Sequence, residues 1–170
     1  MGVPESGYSL KRCVAINATV PVPEGWFYRE DFEAGTRAYF VTLEEIRGSG
    51  MYQTGLALNA ISRISRQRTL PSLMAERLIT DARPGFTPMT EPRMVMSGPL
   101  VTYSRVFDFA GGVIEDKLID PSVYYYSATG NDQRDIFYMA LFETPTTRWE
   151  EFQDMEHVLI DNIVYDPRVR

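Results

Sequence analysis

A chain of 170 residues with 44% apolar and 24% charged side chains is long enough for one ordinary globular core. Ten Tyr, nine Phe and two Trp exclude a disordered polymer, and a net charge of -6 with a pI near 4.9 disfavours general binding to phosphate backbones. The single cysteine, Cys13, excludes an intrachain disulfide and a cysteine-built zinc site, and no apolar run approaches the ~20 residues of a membrane-spanning helix.

Residues 1–9 read as a flexible arm broken by Gly2, Pro4 and Gly7, ahead of a single domain over 10–166. Residues 12–20 alternate as a first strand with Val14, Ile16, Ala18 and Val20 on one face, ended by Pro21 and Pro23. Trp26, Phe27 and Tyr28 are expected to pack a loop onto the sheet. Over 37–66 two β-branched and aromatic runs flank Arg47-Gly48-Ser49-Gly50, a hairpin signature with a short turn. Glu44 and Glu45 would then sit on a strand and face opposite sides.

A helix follows over 70–83, capped by Thr69, with Pro71 in its first turn and an apolar stripe of Leu70, Leu73, Met74, Leu78 and Ile79. Pro84, Pro88 and Pro92 mark a loop. Strands resume from Met94, and Gly111-Gly112 signals a tight turn after 100–110. Runs at 119–128 and 136–143 flank a turn at Gly130-Asn131-Asp132. The last element is a helix over 147–163, with Thr147 and Glu150 at capping-box spacing and Trp149, Phe152, Met155, Leu159 and Ile163 on one face. Strands in runs with only two helices predict an α+β fold: an antiparallel sheet flanked by helices.

Candidate functional residues are few. His157 is the sole histidine, with Asp154, Glu156 and Asp161 close along its helix, and reads as a charged helix surface or as a metal or proton-transfer site. Arg63, Arg66 and Arg68 crowd the end of a strand, as solubilising charges or as an anion or partner patch. Tyr124 and Tyr126 share one strand face and Tyr125 takes the other, for packing or for stacking a ligand or partner. Phosphate-loop, dinucleotide, nucleophile-elbow and zinc-protease motifs are absent. The reading therefore assigns no catalytic residue, cofactor or metal. With no signal-peptide apolar region visible, it places the protein in the cytoplasm, or in a periplasm or lumen where a leader has been trimmed.

Val22-Pro23-Glu24-Gly25-Trp26, then Ala38-Tyr39-Phe40-Val41-Thr42-Leu43-Glu44-Glu45, then Gly50-Met51-Tyr52-Gln53-Thr54-Gly55-Leu56-Ala57-Leu58-Asn59, resemble the PsbP/Mog1 group of α+β sandwich proteins, which includes bacterial members of unassigned role. The resemblance covers about 8–165. It implies an α/β/α-type sandwich and a non-catalytic accessory or adaptor protein that binds a protein partner through its surface. The alternative is a small-ligand binder or enzyme using a pocket between sheet and helix with Arg and Tyr contacts.

Overall fold

The computed structural model describes residues 7–33, 36–48, 51–114 and 117–166. Strand β1 (Tyr8–Cys13) reverses through a 3-10 turn, Val14–Ile16, into β2 (Ala18–Pro23), with Tyr8 opposite Pro23 and Cys13 opposite Ala18. The one strand expected over 12–20 is thus the bend and parts of two strands. Asn17 makes the reversal at φ 50°, a left-handed conformation that Asn tolerates better than most residues. Pro21 and Pro23 lie inside β2 instead of ending it. Past Thr19, β2 has β1 on one side and no described strand on the other, a place where a residue lacking N–H is tolerated. Tyr8 and Ser9 belong to β1, and residues 1–6 of the expected arm lie outside the described residues.

The main sheet takes β3 (Phe27–Glu33), β4 (Thr36–Thr42), β5 (Gly55–Ser62), β6 (Phe86–Pro88), β7 (Arg93–Ser97), β8 (Leu100–Phe109), β11 (Ser122–Asn131) and β12 (Ile136–Pro145). Its order is β3-β4-β5-β12-β11-β8-β6, every pair is antiparallel, and β7 pairs with β8 alongside β6. The expected hairpin is present as β4 and β5, but its strands stop at Thr42 and Gly55. Glu44 is not on a strand. Its Oε2 accepts the N–H groups of Gln53 (3.2 Å) and Thr54 (3.0 Å) and closes a longer loop. Ser49 and Gly50 of the expected turn lie outside the described residues. Phe27 and Tyr28 open a strand and are not part of a packed loop. After Gly111 the chain makes a separate two-stranded hairpin, β9 (Gly112–Ile114) with β10 (Lys117–Ile119), while β8 pairs with β11.

Helix α1 (Pro71–Thr80) lies over β8, β11 and β12, and α2 (Trp149–Asp161) lies mainly over β12. Thr69 does not cap α1, and its buried hydroxyl has no partner among the described residues. Asp132, from the turn between β11 and β12, caps it instead: it accepts from Ser72 N–H at 2.8 Å and Ser72 Oγ at 2.6 Å. The buried face of α1 is Pro71, Ala75 and Ile79, whereas Leu70 and Leu73 of the expected stripe are exposed. The capping box of α2 does not form either. A 3-10 turn, Thr146–Arg148, precedes the helix, and Arg148 makes two 3.1 Å bonds to Glu151. Phe152, Leu159 and Ile160 are buried, Trp149 half-buried.

All ten residues of β11 are buried, because both faces of the strand are covered. Tyr124, Tyr126 and Ala128 join Ala75, Ile79, Phe107, Phe109 and Phe137 on the α1 side. Val123 and Tyr125 join Phe142, Phe152, Leu159 and the β1–β2 residues Cys13, Ala18, Val20 and Val22 on the other. The fold is α+β. The layer that carries α2 is more than a helix, since β1, β2 and the short β13 (Val164–Tyr165) form a three-stranded sheet within it.

Candidate functional site

Because α2 lies mainly over β12, a groove opens beside it along the β8–β11 part of the sheet. The floor beneath it is polar and largely buried: Ser104 faces Ser127 and Thr102 faces Thr129 across the strands, with a 2.8 Å bond between the threonine hydroxyls. One wall is α2. The other is β7 and the residues before it. Two hollows lie along this groove. The first, about 420 Å³, is bounded by Trp149, Gln153, Glu156 and His157 on the helix, Tyr125 and Val106 on the floor, and Met89, Glu91 and Arg93 opposite. The second, about 400 Å³, runs past Val95, Thr102, Thr129, Ile160 and Val164. Arg93 lines both hollows and reaches Asp161 of α2 at 3.8 Å, bridging the two walls.

Glu156 is the unusual group here. It is 2% exposed, and its Oε2 is buried with no hydrogen-bond partner among the described residues. Its Oε1 is 3.6 Å from His157 Nε2, and His157 Nδ1 is 3.5 Å from Asp161 Oδ2. The imidazole stands edge-on to Tyr125, with centroids 5.7 Å apart. Burial, reinforced by Asp161 and Asp154, pushes the Glu156 carboxyl up to about 8. Among the described residues no three His, Cys, Asp or Glu side chains group closely enough to hold a metal ion. In sequence Glu156 reads as one more acid on a charged helix. The hydroxyl alternation of Thr102/Ser104 on β8 and Ser127/Thr129 on β11 is the sequence signal for this polar floor.

The residues singled out from sequence do not come together. Arg63, Arg66 and Arg68 are exposed beside a 3-10 turn, Ile64–Gln67, with Arg63 and Arg68 both at positive φ. They sit at the Asp135 end of the sheet, where Arg63 N–H donates to Asp135 O at 2.8 Å. Tyr124 pairs with Glu143 and Tyr126 with Leu141, five or more residues along β11 from Asn131 at that end, which is ~17 Å or more of strand. Both tyrosines are buried. Tyr126 lies under the Arg83 guanidinium, 4.4 Å from the ring centroid, within a cluster of Phe86, Phe107 and Tyr124.

Tyr124 has a polar partner that sequence reasoning missed. Glu143, Tyr52 and Tyr124 line a smaller hollow of about 210 Å³ on the α1 side. Burial pushes Glu143 up to about 7, against the opposing effect of hydrogen bonds from Tyr52 and Tyr124. The same burial, with the Glu143 charge, raises both phenols.

No family model and no curated protein matches the chain. Solved structures do. The chain is similar to cyanobacterial PsbP (CyanoP) from Synechocystis, at 13% identity and a TM-score of 0.58 over 98% of this chain and 96% of that one. It is similar to the Ran-binding protein Mog1p of Saccharomyces cerevisiae, at 10% identity and a TM-score of 0.53 over 92% and 94%. LpqN of Mycobacterium tuberculosis, described as involved in cell envelope biogenesis, matches at 10% identity and a TM-score of 0.52 over 92% and 89%. The chain has the PsbP/Mog1-like fold. Among the described residues no helix is long and apolar enough to cross a membrane.

Proposed function

We propose that this protein is a non-catalytic accessory protein that binds an acidic protein partner through its arginine-bearing end. The observation that carries the reading is the state of the charges there. Arg63, Arg66 and Arg68 are exposed and make no ion pair among the described residues. The two nearby acids are already engaged: Asp132 by Ser72, and Asp135 by Ser65 N–H at 2.8 Å and Ser65 Oγ at 2.5 Å. These serine bonds hold the Asp135 carboxyl below its usual range. The three guanidinium groups outnumber these two carboxylates, which keep their charge, and so form a local field opposite to that of a chain of net charge -6. Arginine also offers carboxylates a planar, two-pronged contact. A relative in fold that is described as Ran-binding supports a protein partner for this architecture.

The test is a partner isolated on the immobilised wild-type protein from its native source, then measured against the variant carrying Arg63→Glu, Arg66→Glu and Arg68→Glu. The variant should bind at least tenfold more weakly at low salt, and its affinity should change little as salt is raised. A folded variant that binds as tightly as wild type makes the patch a solubilising one and sinks the reading. A second reading, a small-ligand binder, is favoured by the groove along α2 and its unbonded carboxyl.

A further inference from the structure

The hollow beside Glu156 has the makings of a site for a positive charge. Count its groups from each wall. The helix contributes Glu156, Asp154, His157 and the Trp149 ring, and the floor contributes Tyr125. The opposite side contributes Glu91, Arg93 and Arg105. Both guanidinium groups already have partners. Arg93 pairs with Asp161 at 3.8 Å, and Arg105 donates Nε–H to Thr90 O at 2.7 Å and lies 5.6 Å from the Phe107 centroid. Asp154 and Glu91 are exposed with no ion pair among the described residues, and the buried Oε2 of Glu156 accepts no hydrogen bond. A buried carboxyl oxygen without a donor is costly, and burial of this one holds its proton on. A donor that arrived with its own positive charge would supply both the missing hydrogen bond and the missing counter-charge. Indole and phenol rings beside it suit an organic cation, since the ring faces attract positive charge and the walls accept an alkyl chain.

We propose that the cleft between α2 and the β7–β8 edge is a binding site for an alkylammonium group, with Glu156 as its counter-ion, Asp154 at the mouth and Trp149 and Tyr125 as its apolar and π walls. The hollow of about 420 Å³ is larger than a single such group, so the site accepts either a free amine or a lysine side chain presented by a peptide. This inference is independent of the arginine-bearing end, which lies elsewhere on the sheet.

The chain contains only Trp26 and Trp149, so two indole N–H signals in an ¹⁵N-labelled sample report the site and an internal reference. Titration with n-butylammonium at about pH 8.5, where the carboxyl is largely ionised, should move the Trp149 signal and leave that of Trp26 in place. Neutral n-butanol, of the same shape, should bind at least tenfold more weakly. Glu156→Gln should weaken n-butylammonium at least tenfold, and Asp154→Asn a few-fold. Acetyl-Gly-Lys-Gly-amide gives the second arm: tighter binding than n-butylammonium assigns the site to a protein side chain, weaker binding to a free amine. Equal shifts with butanol, no shift at Trp149, or a folded Glu156→Gln variant that binds as wild type would each overturn the proposal. The butanol comparison needs no variant, so the result stands even if Glu156→Gln fails to fold.

Discussion

Gly130→Ala should unseat helix α1. Gly130 lies on β11 facing the helix N-terminus, and a Cβ added there would sit 2.3 Å from Ser72 N, 2.4 Å from Pro71 C and 2.5 Å from Ser72 Cα. All three are backbone atoms, so no rotamer change relieves the clash. Ordinary contact begins near 3.4 Å, and the first turn of α1 must therefore retreat by about 1 Å. That retreat stretches both Ser72–Asp132 bonds, 2.8 and 2.6 Å long, and loosens Pro71 and Ala75 against the sheet. Overpacking costs about 1–3 kcal/mol and weakening of the cap at most the about 1–2 kcal/mol of its complete loss, so a loss of about 2–4 kcal/mol is expected. In a domain of this size that lowers Tm by roughly 10 °C. Urea unfolding followed by tryptophan fluorescence measures it. Gly98→Ala is the control: Gly98 has φ +57° and open space around it, so it carries only the left-handed penalty of about 1–2 kcal/mol. A Gly130→Ala loss under 1 kcal/mol, or no larger than the control, would refute the packing argument.

Stability should fall as pH rises from about 4.5 to about 8, because the folded Glu156 carboxyl, raised to about 8 from a reference of 4.5, binds its proton more tightly than the unfolded one. Glu143, raised to about 7, acts in the same direction over a narrower window. Glu156→Gln should remove part of this slope and gain stability relative to wild type at pH 8.5; urea melts at about pH 5 and 8.5 giving equal slopes for both proteins would rule the effect out. Trp149→Ala should cost about 2 kcal/mol, against about 4 for a fully buried tryptophan, because the ring borders the cleft and is half-buried; a chemical-denaturation loss above 4 would place that ring in the core. Asp132→Ala should cost about 1–2 kcal/mol through loss of the α1 cap, and a thermal melt unchanged within 1 °C would contradict it.

The antiparallel pairs and both helices were legible because their signals are local. The runs 119–128 and 136–143 flank one turn signal, and the structure pairs Ser122–Asn131 with Ile136–Pro145 in register, from Ser122 opposite Pro145 to Asn131 opposite Ile136. What misled was tertiary context acting on local signals. Thr69 and Thr147 stand at capping spacing, yet α1 takes its cap from Asp132, 60 residues away. Pro21 and Pro23 read as a stop but fit a strand that is open on one side. Tyr124 and Tyr126 share a face as the strand period requires, and whether that face is wet depends on where α1 docks. The groove was only half legible for a related reason: its hydroxyl floor is written in Thr102, Ser104, Ser127 and Thr129, but its opening comes from the placement of α2 over β12.

The two outer edges of the main sheet are chemically unequal. β3 presents Arg29, Glu30 and Asp31, with Arg29 and Asp31 joined at 3.1 Å, and charges of this kind repel a docking strand. β7 presents Met94, Val95 and Met96, all exposed, and pairs only with β8 among the described strands. A sheet with two open edges can propagate into a fibre. One with a single open edge accepts one further strand there and then stops, because the charged far side offers the next copy nothing to extend. Any association through β7 would thus be self-terminating, and lysine substitution of Val95 would insulate the molecule on both sides.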